Sequence, residues 1–324
     1  MPSPERTGRT PRILVVANPV AGRRDFDESL GTITDYLEEL GADYEIRRTK
    51  GDGDALEWVR TARGFDLVAA AGGDGTVMEA LSGMIKNTEP VPLAQLPLGT
   101  ANLLSRALGI SSNLKKALET AFESGVVATM DVGYLPGHDR YFAIVAGSGW
   151  DAELIEDADR KMKNRLGFFA YVISGFRHLF DQTPSRVTIA IDGETRRFRA
   201  YEVMVINIGE IYGTGFALGK DLSPHDGKLD LAIASSRTVY GTVKLLSRIL
   251  LRRFDGSSDL RYFSASHLKI EAEPPLKVEI DGEPVGETPF EVEVVPAGAR
   301  MVVPRAYVEA KKLEFEELPG RVTL

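Results

Sequence analysis

The sequence predicts an α/β protein in two parts: an N-terminal domain built on a parallel sheet, then a C-terminal antiparallel β-sandwich domain, with a barrel-like form as the alternative. Three observations carry this expectation. Up to about Glu123, short apolar runs alternate with segments of helical periodicity. Beyond that point strand patterns dominate. Two Asp-Gly pairs, Asp192-Gly193 and Asp281-Gly282, join consecutive strand patterns as two-residue hairpin turns do.

Taken in order, Arg12–Pro19 (RILVVANP) is an apolar run of the buried-strand kind. Glu28–Leu40 places Leu30, Ile33, Leu37 and Leu40 on one helical face, and Gly41 follows as a stop. Asp43–Thr49 reads as a strand, Asp54–Arg63 as a helix, Phe65–Ala71 as a strand and Thr76–Ile85 as a helix. Pro92–Leu98 is a fourth strand, followed by helical stretches at Ala101–Leu108 and Leu114–Glu123. Strands alternating with helices imply a parallel sheet covered on both faces. The second part carries strand patterns at Arg140–Ala146, Ser185–Ile191, Arg199–Ile208, Lys228–Ala234, Leu268–Ala272, Leu276–Ile280, Phe290–Val295 and Arg300–Val303. Helices are expected around Leu166–Phe180 and Val239–Phe254. The domains are placed at 1–128 and 129–303, with 304–324 free to return to the first.

Composition narrows the function. In 324 residues, 43% are hydrophobic and 27% charged, which suits an ordinary globular protein of about two domains. The net charge of -8 argues against general nucleic-acid binding, so an anionic partner needs a local basic patch. With no cysteine, disulfides, thiolate metal sites and a cysteine nucleophile are all excluded. The four histidines, His138, His178, His225 and His267, show no metal-ligand spacing. No apolar run reaches the ~18 residues of a membrane span, and Met1–Arg12 lacks the apolar stretch of a signal peptide, so a cytoplasmic location is expected.

The strongest motif is Gly72-Gly73-Asp74-Gly75-Thr76, after an apolar strand and at the start of a helix. Its glycines let backbone N–H groups approach an anion, and the helix dipole favours negative charge there. Asp74 is itself an anion, so it fits a partner of phosphate-bound Mg²⁺ or of a water on that ion. A plain strand–turn–helix link is the bland alternative, but it rarely needs three glycines around one aspartate. Asn18-Pro19-Val20-Ala21-Gly22 and Pro97-Leu98-Gly99-Thr100-Ala101-Asn102 follow other strands. Each alone is a turn signal; together the three segments line the carboxyl ends of a parallel sheet, where α/β folds bind ligands.

These residues resemble the diacylglycerol kinase catalytic-domain family of lipid kinases, which is related to sphingosine kinases. The likeness runs from Asn18 to about Pro304 and continues through Gly147-Ser148-Gly149-Trp150-Asp151-Ala152, Asp226-Gly227-Lys228-Leu229-Asp230 and Asp281-Gly282-Glu283. The resemblance implies a nucleotide-binding domain of the NAD kinase/diacylglycerol kinase-like kind, a β-rich lipid-substrate domain and a site in the cleft between them. It implies ATP held by Asn18, Pro19, Gly22, Thr49, Gly72, Gly73, Asp74, Gly75, Thr76, Glu79, Thr100 and Asn102. It implies Glu283 as catalytic carboxylate, with Asp281 beside it and Asp74 on the Mg²⁺. Ser223, Asp226 and the Lys228 carbonyl would form a structural Mg²⁺ site. A carboxylate is suited to accept the proton of a lipid hydroxyl attacking the γ-phosphate. The tetrapeptide Ile-Asp-Gly-Glu occurs at Ile191–Glu194 as well as Ile280–Glu283, and spacing makes both ordinary hairpins; only the resemblance selects the second.

The chain departs from the family pattern at two points. Leu103 stands where many members have aspartate after the Gly-Thr-x-Asn segment, so no Asp–water–Mg²⁺ link forms through it. Ala217–Leu222 stands where members usually carry proline and small residues. Sphingoid bases or other lipid alcohols are alternative substrates. Among other classes, an NAD kinase shares the Gly-Gly-Asp-Gly loop but expects a Gly-rich Asn segment in place of Leu96–Thr100. A dehydrogenase would use Gly147-x-Gly149-x-x-Ala152 as a dinucleotide fingerprint, yet Gly167–Phe176 has no acid at the expected distance. A non-catalytic lipid- or nucleotide-binding regulator would not need both Asp74 and Glu283. A bilayer substrate implies reversible peripheral membrane contact, for which Lys244, Arg248 and Arg252 lie along one helical face; a homodimer is compatible with the sequence.

Overall fold

The computed structural model describes residues 10–22, 25–148, 184–214, 216–235 and 260–319. The expected helices at Leu166–Phe180 and Val239–Phe254 lie outside them. The chain forms two compact units. The first runs through Met130 and resumes at Gly298; the second is Asp131–Ala297.

The first unit alternates β1 (Arg12–Ala17), α1 (Phe26–Glu39), β2 (Asp43–Arg48), α2 (Asp54–Arg60), β3 (Leu67–Gly72), α3 (Asp74–Ile85), β4 (Leu93–Pro97), α4 (Leu103–Ala107) and α5 (Leu114–Glu119). The strands are parallel in the order β2-β1-β3-β4. β3 and β4 are wholly buried, which explains their unbroken apolar runs; β2, at the edge, stays half-exposed and polar. α1 buries Leu30, Ile33 and Leu37, its Asp25 cap accepts from the N–H groups of Asp27 and Glu28, and Gly41 ends it at φ 62°.

β5 (Gly125–Leu135) leads into the second unit. Its strands are β6 (Arg140–Phe142), β7 (Val145–Ser148), β8 (Ser185–Ile191), β9 (Glu194–Ala200), β10 (Glu202–Ile206), β11 (Glu210–Ile211), β12 (Phe216–Ala217), β13 (Leu229–Ala234), β14 (Leu260–Ala265), β15 (His267–Glu273), β16 (Lys277–Ile280) and β17 (Glu283–Glu287). β18 (Phe290–Pro304) then leads back to the first unit. One antiparallel sheet has the order β14-β13-β10-β7-β16-β17; opposite it, β18, β15, β8 and β9 pair in sequence. Val203, Val205, Leu231, Val278 and Ile280 of one sheet meet Val187, Ile189, Leu268, Ile270 and Val292 of the other in a single apolar core. This is a β-sandwich.

Local differences from the sequence expectation have identifiable causes. Arg140–Ala146 is not one strand: the N–H groups of Ala143, Ile144 and Val145 are taken by the Asp281 carboxylate, which interrupts the ladder between β6 and β7. Phe290–Val295 and Arg300–Val303 are one strand, β18. Ala297 bends it at φ 49°, with its N–H bonded to Asp131 Oδ1 at 2.8 Å. Arg199–Ile208 divides at Tyr201 into β9 and β10, and β14 was not expected from the sequence. The return to the first unit begins at Gly298, ahead of Pro304, because β18 carries on to pair with β4 at Met301↔Leu93. α6 (Arg305–Lys311) and β19 (Glu316–Glu317) follow, the latter paired with β5.

Candidate active site

In the first unit the three Gly- and Asn-bearing segments meet at the carboxyl ends of β1, β3 and β4. The Asn18 N–H donates to the Ala71 carbonyl at 2.9 Å, and its side-chain amide donates to Thr76 Oγ1 at 2.9 Å. The N–H groups of Leu98 and Gly99 both donate to the Gly72 carbonyl. Two glycines are required by close approach. A Cβ on Gly22, at φ 78°, would lie 2.0 Å from the Leu98 carbonyl oxygen; one on Gly99 would lie 2.5 Å from Gly73 Cα. Thr49 joins the same edge through its N–H on the Ala17 carbonyl at 2.9 Å.

α3 begins at Asp74 with Gly73 as N-cap and no side-chain cap, so its first N–H groups remain open to an anion. Gly75 and Thr100 are exposed, while Thr76 is buried under Asn18. Asn102 is a buried left-handed N-cap of α4; its Nδ2 donates to the Gly99 carbonyl at 2.7 Å and its Oδ1 has no donor. Open helix N–H groups and glycines at van der Waals limits suit a phosphate-bearing ligand, and the orphaned Asn102 acceptor suits a hydroxyl donor or a cation carried with it.

The carboxylate of Asp74 accepts from the Leu104 N–H at 3.3 Å, tying the Gly-rich segment to the start of α4. Burial pushes its carboxyl up, and the N–H groups of Leu104, Leu103 and Asn102 pull it back. Glu79 faces another way. Its carboxylate accepts from the N–H groups of Gly53 and Ala55 and caps α2, which has no cap of its own.

In the second unit Asp281 and Gly282, at φ 48° and 88°, form the β16–β17 turn. Asp281 accepts from the N–H groups of Ala143, Ile144 and Val145 at 2.8–3.0 Å, so its carboxylate orients the turn that presents Glu283. Glu283 is exposed and ion-paired with Arg140 at 2.5 Å. The twin turn has the same geometry, with Asp192 at φ 46°, Gly193 at 89°, and Asp192 bonded to the N–H groups of Ser266 and His267. Among the described residues its Glu194 pairs with Arg196 of its own strand. Arg140 is a site residue the sequence reading missed. Its partner is 143 positions away, and no local pattern announces it.

Ser223 and Asp226 lie in a turn-rich segment before β13. Asp226 Oδ1 accepts from the Lys228 N–H at 3.1 Å, which leaves the Lys228 carbonyl and the second carboxylate oxygen for another partner. Burial, then the charge of Asp226, push the neighbouring Asp230 carboxyl up to about 6. The Asp226 carboxylate, with the Ser223 hydroxyl and the Lys228 carbonyl in the same segment, offers the all-oxygen donor types that a hard cation such as Mg²⁺ takes. A residue not anticipated, buried Asp131, fixes this segment through the Gly227 N–H at 2.7 Å, and fixes β18 through the Ala297 N–H. Gly147 pairs inside an antiparallel sheet with Met204 and Glu279, whereas a dinucleotide fingerprint follows a strand of a parallel sheet. Gly149 to Ala152 lie outside the described residues.

Comparison with known proteins accords with this arrangement. Residues 12–135 match the model described as diacylglycerol kinase catalytic domain, and residues 144–303 the YegS C-terminal NAD kinase beta sandwich-like domain. The chain is similar to a diacylglycerol kinase of Bacillus subtilis (strain 168), 30% identical over 303 residues, covering 92% of this chain and 98% of the relative. An uncharacterized Synechocystis protein is 29% identical over 314 residues, covering 92% of this chain and 71% of that one. A solved structure of a diacylglycerol kinase from Bacillus anthracis str. Sterne superposes with a TM-score of 0.71 at 26% identity, covering 93% of this chain and 99% of that one.

Proposed function

As this chain belongs to the diacylglycerol kinase family of lipid kinases, which are phosphotransferases, we propose that it transfers the γ-phosphoryl group of ATP to the free hydroxyl of diacylglycerol. The observation that carries the reading is the meeting of three strand-end segments around the open N-terminus of α3. Gly73, Gly75 and Thr76 offer backbone N–H groups to the phosphates; Asn18, Pro19, Gly22, Gly72, Thr49, Thr100 and Asn102 shape the pocket around them. Glu79 acts through the start of α2 that it caps. Asp74 is the group offered to an Mg²⁺ that would neutralise charge on the transferring group, and separately Ser223, Asp226 and the Lys228 carbonyl would hold a structural Mg²⁺.

Glu283 is assigned as the base. As the lipid oxygen bonds to the γ-phosphorus, the bond from that phosphorus to the β,γ-bridging oxygen breaks. ADP leaves, and the hydroxyl proton passes to Glu283. Asp281 and Arg140 hold the carboxylate: the first fixes the turn and the second restrains Oε2. Among the described residues no helix is long and apolar enough to cross a membrane. The proposed lipid substrate lies in a bilayer, and in this reading the protein reaches it by reversible docking.

The direct test is radiolabelled ATP offered with diacylglycerol, a sphingoid base, ceramide or phosphatidylglycerol in turn. Label entering diacylglycerol supports the reading. Leu103 favours one second reading, in which another lipid alcohol is preferred, because the first residue of α4 offers no oxygen to a metal-bound water. Label appearing only in another lipid selects that reading. Transfer to NAD, or to nothing despite ATP binding, overturns both.

A further inference from the structure

The face of the six-stranded sheet turned away from the sandwich core carries two acids that the proposed phosphoryl transfer does not use. Glu202 opens β10 and Glu279 lies in β16; β7 runs between them. Gly147 of β7 pairs with Met204 on one side and Glu279 on the other. Side chains alternate along a strand, so Glu202, Met204, Gly147 and Glu279 share one face, opposite Val203, Val205, Val278 and Ile280 of the core. A Cβ on Gly147 would lie 3.4 Å from Glu202 Oε1, so Glu202 leans over the glycine, towards the strand of Glu279.

Glu202 is only 4% exposed. Both its carboxylate oxygens, and Glu279 Oε2, are buried with no hydrogen-bond donor. Burial, then the negative charge of Glu279, push the Glu202 carboxyl well above its ordinary range, and burial pushes Glu279 up to about 7. Buried carboxylates are ordinarily paired or bound to metal. Here two of them lie on one sheet face, on the strands flanking Gly147, with Met204, Val145 and Ile206 as apolar neighbours on the same face. An all-oxygen donor set with anionic charge selects a hard cation over a soft one.

We infer that Glu202 and Glu279 bind a hard divalent cation, Mg²⁺, Mn²⁺ or Ca²⁺, which ties β10 to β16 across Gly147 and is separate from the Ser223–Asp226–Lys228 segment.

The test uses full-length protein stripped with EDTA and free of nucleotide, in an Asp226→Asn background that removes the candidate cation site before β13. Mn²⁺ is titrated alone, and the free ion is counted by electron paramagnetic resonance. Adding Glu202→Gln and Glu279→Gln together should remove one equivalent of bound Mn²⁺. It should also abolish the rise in melting temperature that Mn²⁺ gives the parent, and Ca²⁺ should compete for the same equivalent. Unchanged Mn²⁺ stoichiometry in the glutamine pair overturns the inference. So does a parent that binds no Mn²⁺ while the glutamine pair melts higher, the mark of two acids that repel or share a proton. Should the pair fail to fold, Glu279→Asp keeps the charge and shortens the reach. It should weaken Mn²⁺ binding at least about tenfold, and unaltered affinity overturns the inference.

Discussion

Glu283 and Glu194 occupy turns of the same sequence and backbone geometry, and differ in what the rest of the fold brings to them. Arg140 reaches Glu283 from a distant strand, whereas among the described residues Glu194 meets Arg196 of its own strand. Glu283→Gln keeps the shape and removes the base, so phosphoryl transfer should fall at least about a hundredfold with ATP affinity kept. Glu194→Gln should stay within about twofold of the parent in a side-by-side steady-state assay. A dead Glu194→Gln and an active Glu283→Gln would reverse the assignment. Gly99 makes a second residue-scale test. Its missing Cβ is what lets two strand-end segments approach, and Gly99→Ala drives a methyl to 2.5 Å from Gly73 Cα. ATP binding measured by calorimetry should weaken at least about tenfold, and the protein should lose about 1–3 kcal/mol of stability to the forced packing.

At the scale of elements, carboxylates do the work that short local signals leave undone. α2 starts without a cap of its own and borrows Glu79 from α3. Glu79→Ala should cost about 1 kcal/mol in a urea titration, as the loss of an N-cap does. ATP affinity falling more than that stability change explains would mean that Glu79 also touches the nucleotide. Asp131 is more heavily committed: it holds the turn before β13 and the bend in β18. Asp131→Ala leaves both N–H donors without their acceptor, and the unfolding midpoint should drop by the equivalent of about 3 kcal/mol. Those carboxylates also explain where the sequence misled. Nothing in Arg140–Ala146 marks the three N–H groups claimed by Asp281, and nothing in Phe290–Val303 shows that Asp131 lets one strand run through Ala297.

For the whole molecule, the raised carboxyls of Asp230, Glu279 and Glu202 set a direction with pH. Each binds its proton more tightly in the folded chain than in the unfolded one. Their contribution is therefore complete below about pH 4 and is lost as pH rises through about 6 for Asp230 and about 7 for Glu279. In EDTA, the denaturant midpoint attributable to these groups should fall between pH 5 and pH 8, and Glu279→Gln should flatten that slope. An identical slope in the variant would mean that other groups set it. Membrane access belongs to the same scale. The net charge of -8 opposes docking on anionic lipid, so the proposed use of a bilayer substrate requires a local basic patch. Lys244, Arg248 and Arg252 changed together to Gln should weaken pelleting with anionic vesicles and slow turnover of bilayer substrate. Turnover of detergent-dispersed short-chain lipid should be unaffected. Unaltered vesicle binding would rule this segment out as the docking surface.

The sequence by itself determined the alternation of β1 to β4 with helices, the change to antiparallel strands, the two Asp-Gly hairpins and the Gly72–Thr76 segment. Each of these is written in neighbouring residues: apolar runs where both faces of a strand are buried, a 3.6-residue stripe where one face is, and glycine where backbone must come close. The resemblance to the family rests on the Gly72–Thr76 segment taken in order with Asn18–Gly22, Pro97–Asn102, Gly147–Ala152, Asp226–Asp230 and Asp281–Glu283. What only the tertiary structure decided is which polar groups meet. Asn18 on Thr76, Asp74 on the start of α4, Arg140 on Glu283 and Glu202 beside Gly147 are all pairings between separate elements. Hydrophobic burial is a property of each residue type and repeats with the period of its element, so it can be read locally. A hydrogen bond or an ion pair is a property of two residues whose separation in the chain carries no information about their separation in space. The twin Ile-Asp-Gly-Glu turns make the point, since identical tetrapeptides acquired different partners only when the strands around them paired.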